Sequence, residues 1–171
     1  MREARRVLES ATCKLSFRFF SRYNSMACDV LLTGDSGVRH MEQLKEFSNT
    51  IPAINQIELH PWLQHPEIVD YCKKEGIVVQ AYSPIARAQK NDNPVLVSIA
   101  RAHSVTPPQV LIRWSLQKGF VPLPKSDNPE RIKANADVFG FELTEQEVGS
   151  LNGLGLPGGE GAICWYDVDC P

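Results

Sequence analysis

A lysine, a serine and an arginine near the C-terminus have the chemistry to bind a phosphate group. Lys125 and Ser126 come shortly after the apolar run Phe120 to Leu123, and Arg131 lies in the first turn of a helix predicted to begin at Pro129. An ammonium, a hydroxyl, a guanidinium and a helix N-terminus together suit a phosphate monoester dianion. These residues alone leave a second interpretation open, in which they are scattered charges on a solvated helix.

Two further positions have the chemistry to contact a flat heteroaromatic ligand. Asn135 follows Arg131 by four residues, so it lies on the same helix face and its amide can contact an adenine edge. Tyr82 follows the apolar run Ile77 to Ala81, where its ring can lie against such a ligand. The alternative for Tyr82 is a tyrosine half-buried at the end of a strand.

Polar side chains also interrupt the apolar run Ala53 to Leu59. The amides of Asn55 and Gln56 and the carboxylate of Glu58 are costly to bury without partners. They therefore either bond each other and nearby backbone, or face a cavity.

Several common kinds of site are not indicated. The four histidines, at positions 40, 60, 65 and 103, do not have metal-ligand spacing, and we predict no metal site. The sequence contains no GxSxG nucleophile elbow, no P-loop and no GxGxxG dinucleotide motif. We interpret HPWLQHP as a rigid loop.

The elements that must position these residues alternate between strand and helix. Such alternation predicts an α/β fold with parallel strands, whose binding residues gather at the C-terminal ends of the strands. The predicted strands are Ala53–Leu59, Ile77–Ala81 and Phe120–Leu123, with a possible short strand at Val30 to Leu32. The predicted helices are Val38–Phe47, Pro66–Lys74, Pro94–His103, Pro107–Lys118, Pro129–Ala136 and Thr144–Leu151.

Composition narrows the class of protein. The net charge of −2 gives no field that attracts nucleic acid or anionic lipid, and no apolar run has the length of a membrane helix. Five cysteines without a CxxC pair fit reduced thiols, so we expect a cytoplasmic protein. The Arg-rich start also occurs in mitochondrial transit peptides, although its apolar cluster is not cleanly amphipathic.

Four segments together resemble the aldo-keto reductase family. NQIELHP, YCKKEGIVVQAYSPI, TPPQVLIRWSLQKGFVPLPKS and RIKANADVFGFELTEQE follow in the family's order and spacing between Gly37 and Leu154. The resemblance implies a TIM (β/α)8 barrel, of which this sequence carries about the last four βα units, the C-terminal half only. It also implies an NADP-dependent oxidoreductase that reduces small-molecule aldehydes and ketones to alcohols.

The resemblance assigns eight residues to the cofactor NADP(H). Gln56 matches the residue that holds the nicotinamide carboxamide, and Tyr82 matches the tyrosine that stacks on the nicotinamide ring. A glutamate that commonly precedes the adenine-contacting asparagine is Ala134 here. The other assignments are Ser83 and Ile85 for the pyrophosphate, Lys125, Ser126 and Arg131 for the 2′-phosphate, and Asn135 for the adenine.

The sequence also departs from the family. The family's catalytic tyrosine, lysine, aspartate and histidine belong to the first half of the barrel and are not found here, so no catalytic residue is predicted. The family's Gly-Val-Ser-Asn at the end of the fifth strand aligns near Thr33-Gly34-Asp35, and the Ser/Asn pair is lost. The resemblance and these departures leave three interpretations. The chain is an aldo-keto reductase-type oxidoreductase that is inactive on its own, a non-catalytic module that binds NADP(H) or pairs with another half-barrel, or a truncated gene product.

Three segments are predicted. Residues 1–36 form an atypical N-terminal segment with a short helix. Our hypothesis is that residues 15–36 are a translated intron, which transcript sequencing can test. Residues 37–154 form the half-barrel, and residues 155–171 form a C-terminal loop and tail. Four strands cannot close a barrel, so we expect marginal stability and self-association through the open edges.

Overall fold

A computed structural model of the protein describes residues 32–34 and 36–164. Predictions for residues 1–31, for Asp35 and for the tail from Trp165 onward lie outside the described residues. The interpretation of residues 15–36 therefore stays a hypothesis.

The predicted alternation of strands and helices is confirmed, with bounds that differ from the predicted ones by at most two residues. The strands are β1 Leu32–Gly34, β2 Ile54–Glu58, β3 Val78–Tyr82 and β4 Val121–Leu123. They form one sheet in the order β1-β2-β3-β4, in which β1 with β2 and β3 with β4 pair in parallel. The helices are α1 Val38–Phe47, α2 Pro66–Glu75, α3 Pro94–Ala102, α4 Pro107–Gln117, α5 Pro129–Ala136 and α6 Glu145–Asn152, with short 3₁₀ helices at Ala86–Ala88 and Pro157–Gly159.

Local sequence signals fix several helix ends. The Asn128 side chain accepts the N–H of Arg131 at 3.0 Å and caps α5. Thr144 and Glu147 form a capping box at the start of α6, where each side chain accepts the other's backbone N–H. Gly76 ends α2 with φ of +72°, a left-handed conformation that glycine adopts without steric cost.

The described chain divides into two compact units. The first contains the residues up to Ile57 together with Pro66–Val79. Its core buries side chains of both helices and of strands β2 and β3, and α1 packs against α2. These buried side chains are Met41, Ile57, Val69, Cys72, Ile77 and Val79.

The second unit contains Glu58–His65 and the residues from Gln80 onward. Helix α4 packs against α3, α5 and β4, and α3 also packs against α6. Trp114 of α4 is fully buried, donates from Nε1 to Asn152 Oδ1 at 2.9 Å and meets the ring of Phe120 edge-on, 6.1 Å between centroids. One aromatic residue therefore joins α4, α6 and the start of β4.

Strand β4 lies at one end of the described sheet and exposes apolar side chains. Val121 and Leu123 are 41% and 39% exposed. Helix α5, which follows β4, buries none of its side chains. Ile132 in this helix is 53% exposed, and Phe139, which follows the helix, is 75% exposed. This apolar surface is the kind that a closed barrel would cover.

No helix within residues 32–34 and 36–164 is long and apolar enough to cross a membrane.

Candidate functional site

The carboxyl ends of β3 and β4 lie side by side in the second unit. The two strands run parallel with Tyr82 aligned to Leu123. Ser83 therefore leaves the sheet at the same edge as Lys125 and Ser126. Parallel α/β proteins bind ligands at this edge. Tyr82 is half-buried, which leaves part of its ring accessible.

The β4–α5 loop, residues 124–128, contains an exposed cation beside an acid. The Lys125 ammonium pairs with the Asp127 carboxylate, and both side chains are more than three-quarters exposed. The Ser126 hydroxyl accepts the N–H of Asn128 at 3.2 Å, which folds the loop toward the start of α5. An anion bound by Lys125 would have to compete with Asp127.

The first turn of α5 places a second cation close to this loop. Arg131 is exposed and lies three residues after the cap Asn128. Asn135 lies one turn further along the same helix face and is half-buried. Ala134 precedes it and supplies no carboxylate.

The loop after β3 is conformationally strained. Ser83, Ala86, Arg87 and Ala88 have φ values in the left-handed region, at +49°, +47°, +48° and +60°. Each such non-glycine residue costs about 1–2 kcal/mol. The Ser83 hydroxyl lies 2.9 Å from the Cys164 sulfur, and the Ile85 side chain is half-buried. The backbone after Tyr82 is thus held in a conformation that its residues do not prefer.

In the first unit, the side chain of Asn55 is fully buried and bonded. Its Oδ1 accepts the Thr33 hydroxyl at 3.1 Å, and its Nδ2 donates to the Ser36 carbonyl at 3.0 Å. Of the two interpretations of Asn55, bonding to its surroundings is therefore the one the structure supports. Thr33 and Gly34 lie in β1, which pairs with β2 in parallel.

Gln56 is the next residue of β2 and points to the opposite face of the sheet from Asn55. Its side chain is half-buried, and it pairs across the sheet with Gly34. A Cβ at Gly34 would lie 3.7 Å from the Gln56 carbonyl oxygen, an ordinary contact. Gln56 belongs to the first unit.

Glu58 is a buried residue to which the sequence assigned no role. Its side chain is 2% exposed, and its carboxylate accepts the N–H groups of Ile163 at 2.9 Å and Cys164 at 3.1 Å. The His60 ring nitrogen Nε2 lies 3.2 Å from the same carboxylate. Burial raises the pKa of Glu58, but the hydrogen bonds from His60, Ile163 and Cys164 outweigh it, and the pKa is lowered. The only signal in the sequence was a carboxylate in an apolar strand.

Two histidines of the described residues pair with glutamates. His60 pairs with Glu58, and His103 Nε2 lies 2.9 Å from the Glu147 carboxylate. Burial lowers the pKa of His65. In residues 32–34 and 36–164, no group of three or more His, Cys, Asp or Glu side chains is arranged to hold a metal ion.

One tyrosine of the first unit does lie beside a lysine. The Lys45 ammonium is 5.1 Å from the centroid of the Tyr71 ring and 2.8 Å from the Glu75 carboxylate. Burial of its hydroxyl and the nearby Glu42 carboxylate raise the pKa of Tyr71 despite Lys45. A proton donor at neutral pH needs the opposite shift. This cluster therefore lacks the electrostatics of a catalytic acid.

Comparisons with known proteins identify the family of this chain. The sequence model described as the Aldo/keto reductase family matches residues 32–155. Glyoxal reductase of Bacillus subtilis is 43% identical over 117 residues, which cover 68% of this chain and 42% of that protein.

Solved structures of aldo-keto reductases also match this chain. An aldo-keto reductase from a deep-sea metagenome library has a TM-score of 0.73 and 35% identity, over 80% of this chain and 50% of that one. An aldo-keto reductase of Bombyx mori, solved in complex with NADP, has a TM-score of 0.65 and 33% identity, over 71% of this chain and 43% of that one. The chain thus spans about half the length of these relatives. By its sequence and its fold, this chain belongs to the aldo/keto reductase family.

Proposed function

We propose that this chain carries the NADP(H)-binding residues of an aldo-keto reductase, whose reaction is the NADP-dependent reduction of aldehydes or ketones to alcohols. The observation that carries the proposal is the parallel register of Tyr82 with Leu123. Because of this register, a ring-stacking residue and a cationic loop leave the sheet at one edge. Family membership and the NADP-bound relative from Bombyx mori support the same cofactor.

The side chains of the second unit fit this cofactor chemically. The exposed cations Lys125 and Arg131, with the Ser126 hydroxyl, suit the 2′-phosphate that distinguishes NADP from NAD. The accessible part of the Tyr82 ring suits stacking on a nicotinamide. The remaining proposed roles are the pyrophosphate for Ser83 and Ile85, the adenine for Asn135 and the nicotinamide carboxamide for Gln56.

We propose that the 171-residue chain alone binds the cofactor without turning over a carbonyl substrate. When bound, NADPH supplies a hydride, but carbonyl reduction also needs a proton donor tuned to neutral pH. Among residues 32–34 and 36–164, the tyrosine next to a lysine has a raised pKa. We therefore propose no role for Tyr71 as this donor.

A second candidate function is pairing with another half-barrel. The exposed Val121 and Leu123 of the terminal strand β4 favour it, since open apolar strand edges promote association. Self-association of this chain is the simplest form of such pairing. Sedimentation of the purified chain at increasing concentration tests it, and a strictly monomeric chain would contradict it.

The experiment for cofactor binding compares NADPH with NADH. We expect NADPH to quench the tryptophan fluorescence of the purified chain at concentrations where NADH does not. Replacing both Lys125 and Arg131 with alanine removes two charge-assisted contacts and should weaken NADPH binding by about 10- to 100-fold, with little effect on NADH. Lys133→Ala, which removes an exposed cation elsewhere on α5, is the matched control.

Two results would count against the proposal. Equal affinity for NADPH and NADH would contradict the assignment of the 2′-phosphate. Consumption of NADPH with aldehydes by the pure chain would contradict the proposal that it binds the cofactor without turning over a carbonyl substrate.

A further inference from the structure

Residues 156–164 of the C-terminal part are held against the loop that follows β2. Leu156 N–H donates to the Trp62 carbonyl at 3.1 Å. Gly161 approaches the same carbonyl so closely that a Cβ there would lie 1.9 Å from its oxygen. Gln64 Nε2 donates to the Asn152 carbonyl at 2.7 Å, just before this segment. The contacts fix the path of the chain toward Ile163 and Cys164.

The end of this segment is fixed by a buried carboxylate. Glu58 accepts backbone N–H groups from both Ile163 and Cys164. A carboxylate only accepts hydrogen bonds, so His60 donates from Nε2 and orients Glu58 from the other side. Both side chains are at most 2% exposed, so water does not compete for these bonds. We refer to Glu58, His60, Ile163 and Cys164 as the anchor.

The anchor reaches the end of β3 through one side chain. The Cys164 sulfur lies 2.9 Å from the Ser83 hydroxyl. Ser83 directly follows Tyr82 and has a left-handed φ of +49°. A residue in this strained conformation persists only when its surroundings hold it. The Cys164 contact is one such hold on Ser83.

We propose that Glu58 is a positioning residue for the cofactor. By fixing residues 163 and 164, it seats Cys164 on Ser83 and keeps the Ser83 hydroxyl and backbone in the conformation that receives the NADP(H) pyrophosphate. The C-terminal segment is thereby a structural part of the cofactor site. This inference rests on the proposed function for its ligand, but not for the anchor itself.

The anchor is tested without cofactor in the Glu58→Gln variant. Gln keeps the size of the side chain but replaces one accepting oxygen with a donor. We expect faster hydrogen exchange at the amides of Ile163 and Cys164 and faster alkylation of the Cys164 thiol, each by on the order of tenfold. Glu160→Gln, an exposed carboxylate in the same segment, is the matched control and should change neither. Unchanged exchange and alkylation in Glu58→Gln would overturn the inference.

The effect on the cofactor is tested with NADPH and with 2′-AMP, which contains only the adenosine and the 2′-phosphate. We expect Glu58→Gln to weaken NADPH binding by about tenfold and to leave 2′-AMP binding unchanged, because the Lys125 and Arg131 end is untouched. Equal losses for both ligands would show general damage to the fold and overturn the positioning role.

A pair of variants at the other end of the contact covers the case in which Glu58→Gln does not fold. Cys164→Ala should weaken NADPH binding, whereas Cys164→Ser, which retains a hydrogen-bonding atom, should restore it. Equal affinity in both variants and wild type would overturn the inference. If the wild-type chain binds neither NADPH nor 2′-AMP, the proposed function and the cofactor role of Glu58 both fail, and the exchange data alone decide whether the anchor exists.

Discussion

In the second unit, the anchor around Glu58 and the β4–α5 loop hold their charged groups in opposite environments. The Glu58 carboxylate is 2% exposed and bonded to two backbone N–H groups and one imidazole. The Lys125 ammonium is 76% exposed and has one acidic neighbour, Asp127. Buried polar groups that are fully bonded determine structure, whereas solvated charges are available to a ligand. The difference separates residues that shape the site from residues that can bind in it.

The segment held by the anchor should lose more stability than the β4–α5 loop when a side chain is enlarged. Gly161→Ala places a Cβ against the Trp62 carbonyl and should lower the free energy of unfolding by about 2–3 kcal/mol. Gly149→Ala in α6 has no atom within 4 Å and is the control, with an expected gain in stability. Urea denaturation measures both. A Gly161→Ala variant as stable as wild type would show that the segment is not packed on Trp62.

The anchor should also make stability depend on pH. The lowered pKa of Glu58 means that its contribution is fully present above the pKa of an unfolded glutamate, about 4.3, and is lost as pH falls through the folded-state pKa. We expect the difference in urea midpoint between wild type and Glu58→Gln to be largest near neutral pH and to shrink under acid. A difference independent of pH would contradict ionisation of Glu58 in the folded chain.

The loop after β3 contacts the anchor through Ser83, and its strain can be relieved. Ala88 is exposed and has φ of +60°, so Ala88→Gly should raise the free energy of unfolding by about 1 kcal/mol. Ala102→Gly at the exposed end of α3 is the matched control and should lower it by about the same amount or less. Thermal denaturation of the two variants gives the comparison. Destabilisation in both would show that residue 88 is not left-handed.

Substitutions in the β4–α5 loop should have the smallest effects, and these effects should appear in the affinity for NADPH. Asp127→Asn removes the acid that pairs with Lys125 and should strengthen NADPH binding by about two- to fivefold, with no change in stability. The effect should diminish as salt is added. Weaker NADPH binding in this variant would mean that Asp127 positions Lys125 for the cofactor.

Periodicity and turn residues predicted most of this fold because the signals were local. Asn128 caps α5, and Thr144 and Glu147 form a capping box at the start of α6, so both helices begin at local sequence signals. The Thr106/Gln109 capping box of α4 was missed, although the Thr106 N–H bonds Gln109 Oε1 at 2.9 Å. The strained 3₁₀ helix at Ala86–Ala88 was also missed, because its residues do not favour left-handed backbone.

The candidate site could be predicted only in part, because some of its contacts join residues that are distant in the sequence. Lys125, Ser126, Arg131 and Asn135 are close in sequence, so residue types and helical spacing sufficed to group them. Glu58 contacts residues more than 100 positions away, and no spacing rule connects a strand carboxylate to the backbone of Ile163 or Cys164. Its role became visible only in the folded chain.

In the proposed cofactor site, Tyr82 and Ser83 bind the same NADPH molecule as the β4–α5 loop. The direct measurement is an NMR titration of the purified chain with NADPH, with NADH as the comparison. We expect NADPH to shift the amide signals of Ser83, Ser126 and Arg131 together, with one dissociation constant. We expect NADH to shift them far less. Shifts confined to only one of the two strand ends, or equal responses to NADPH and NADH, would contradict the proposed cofactor site.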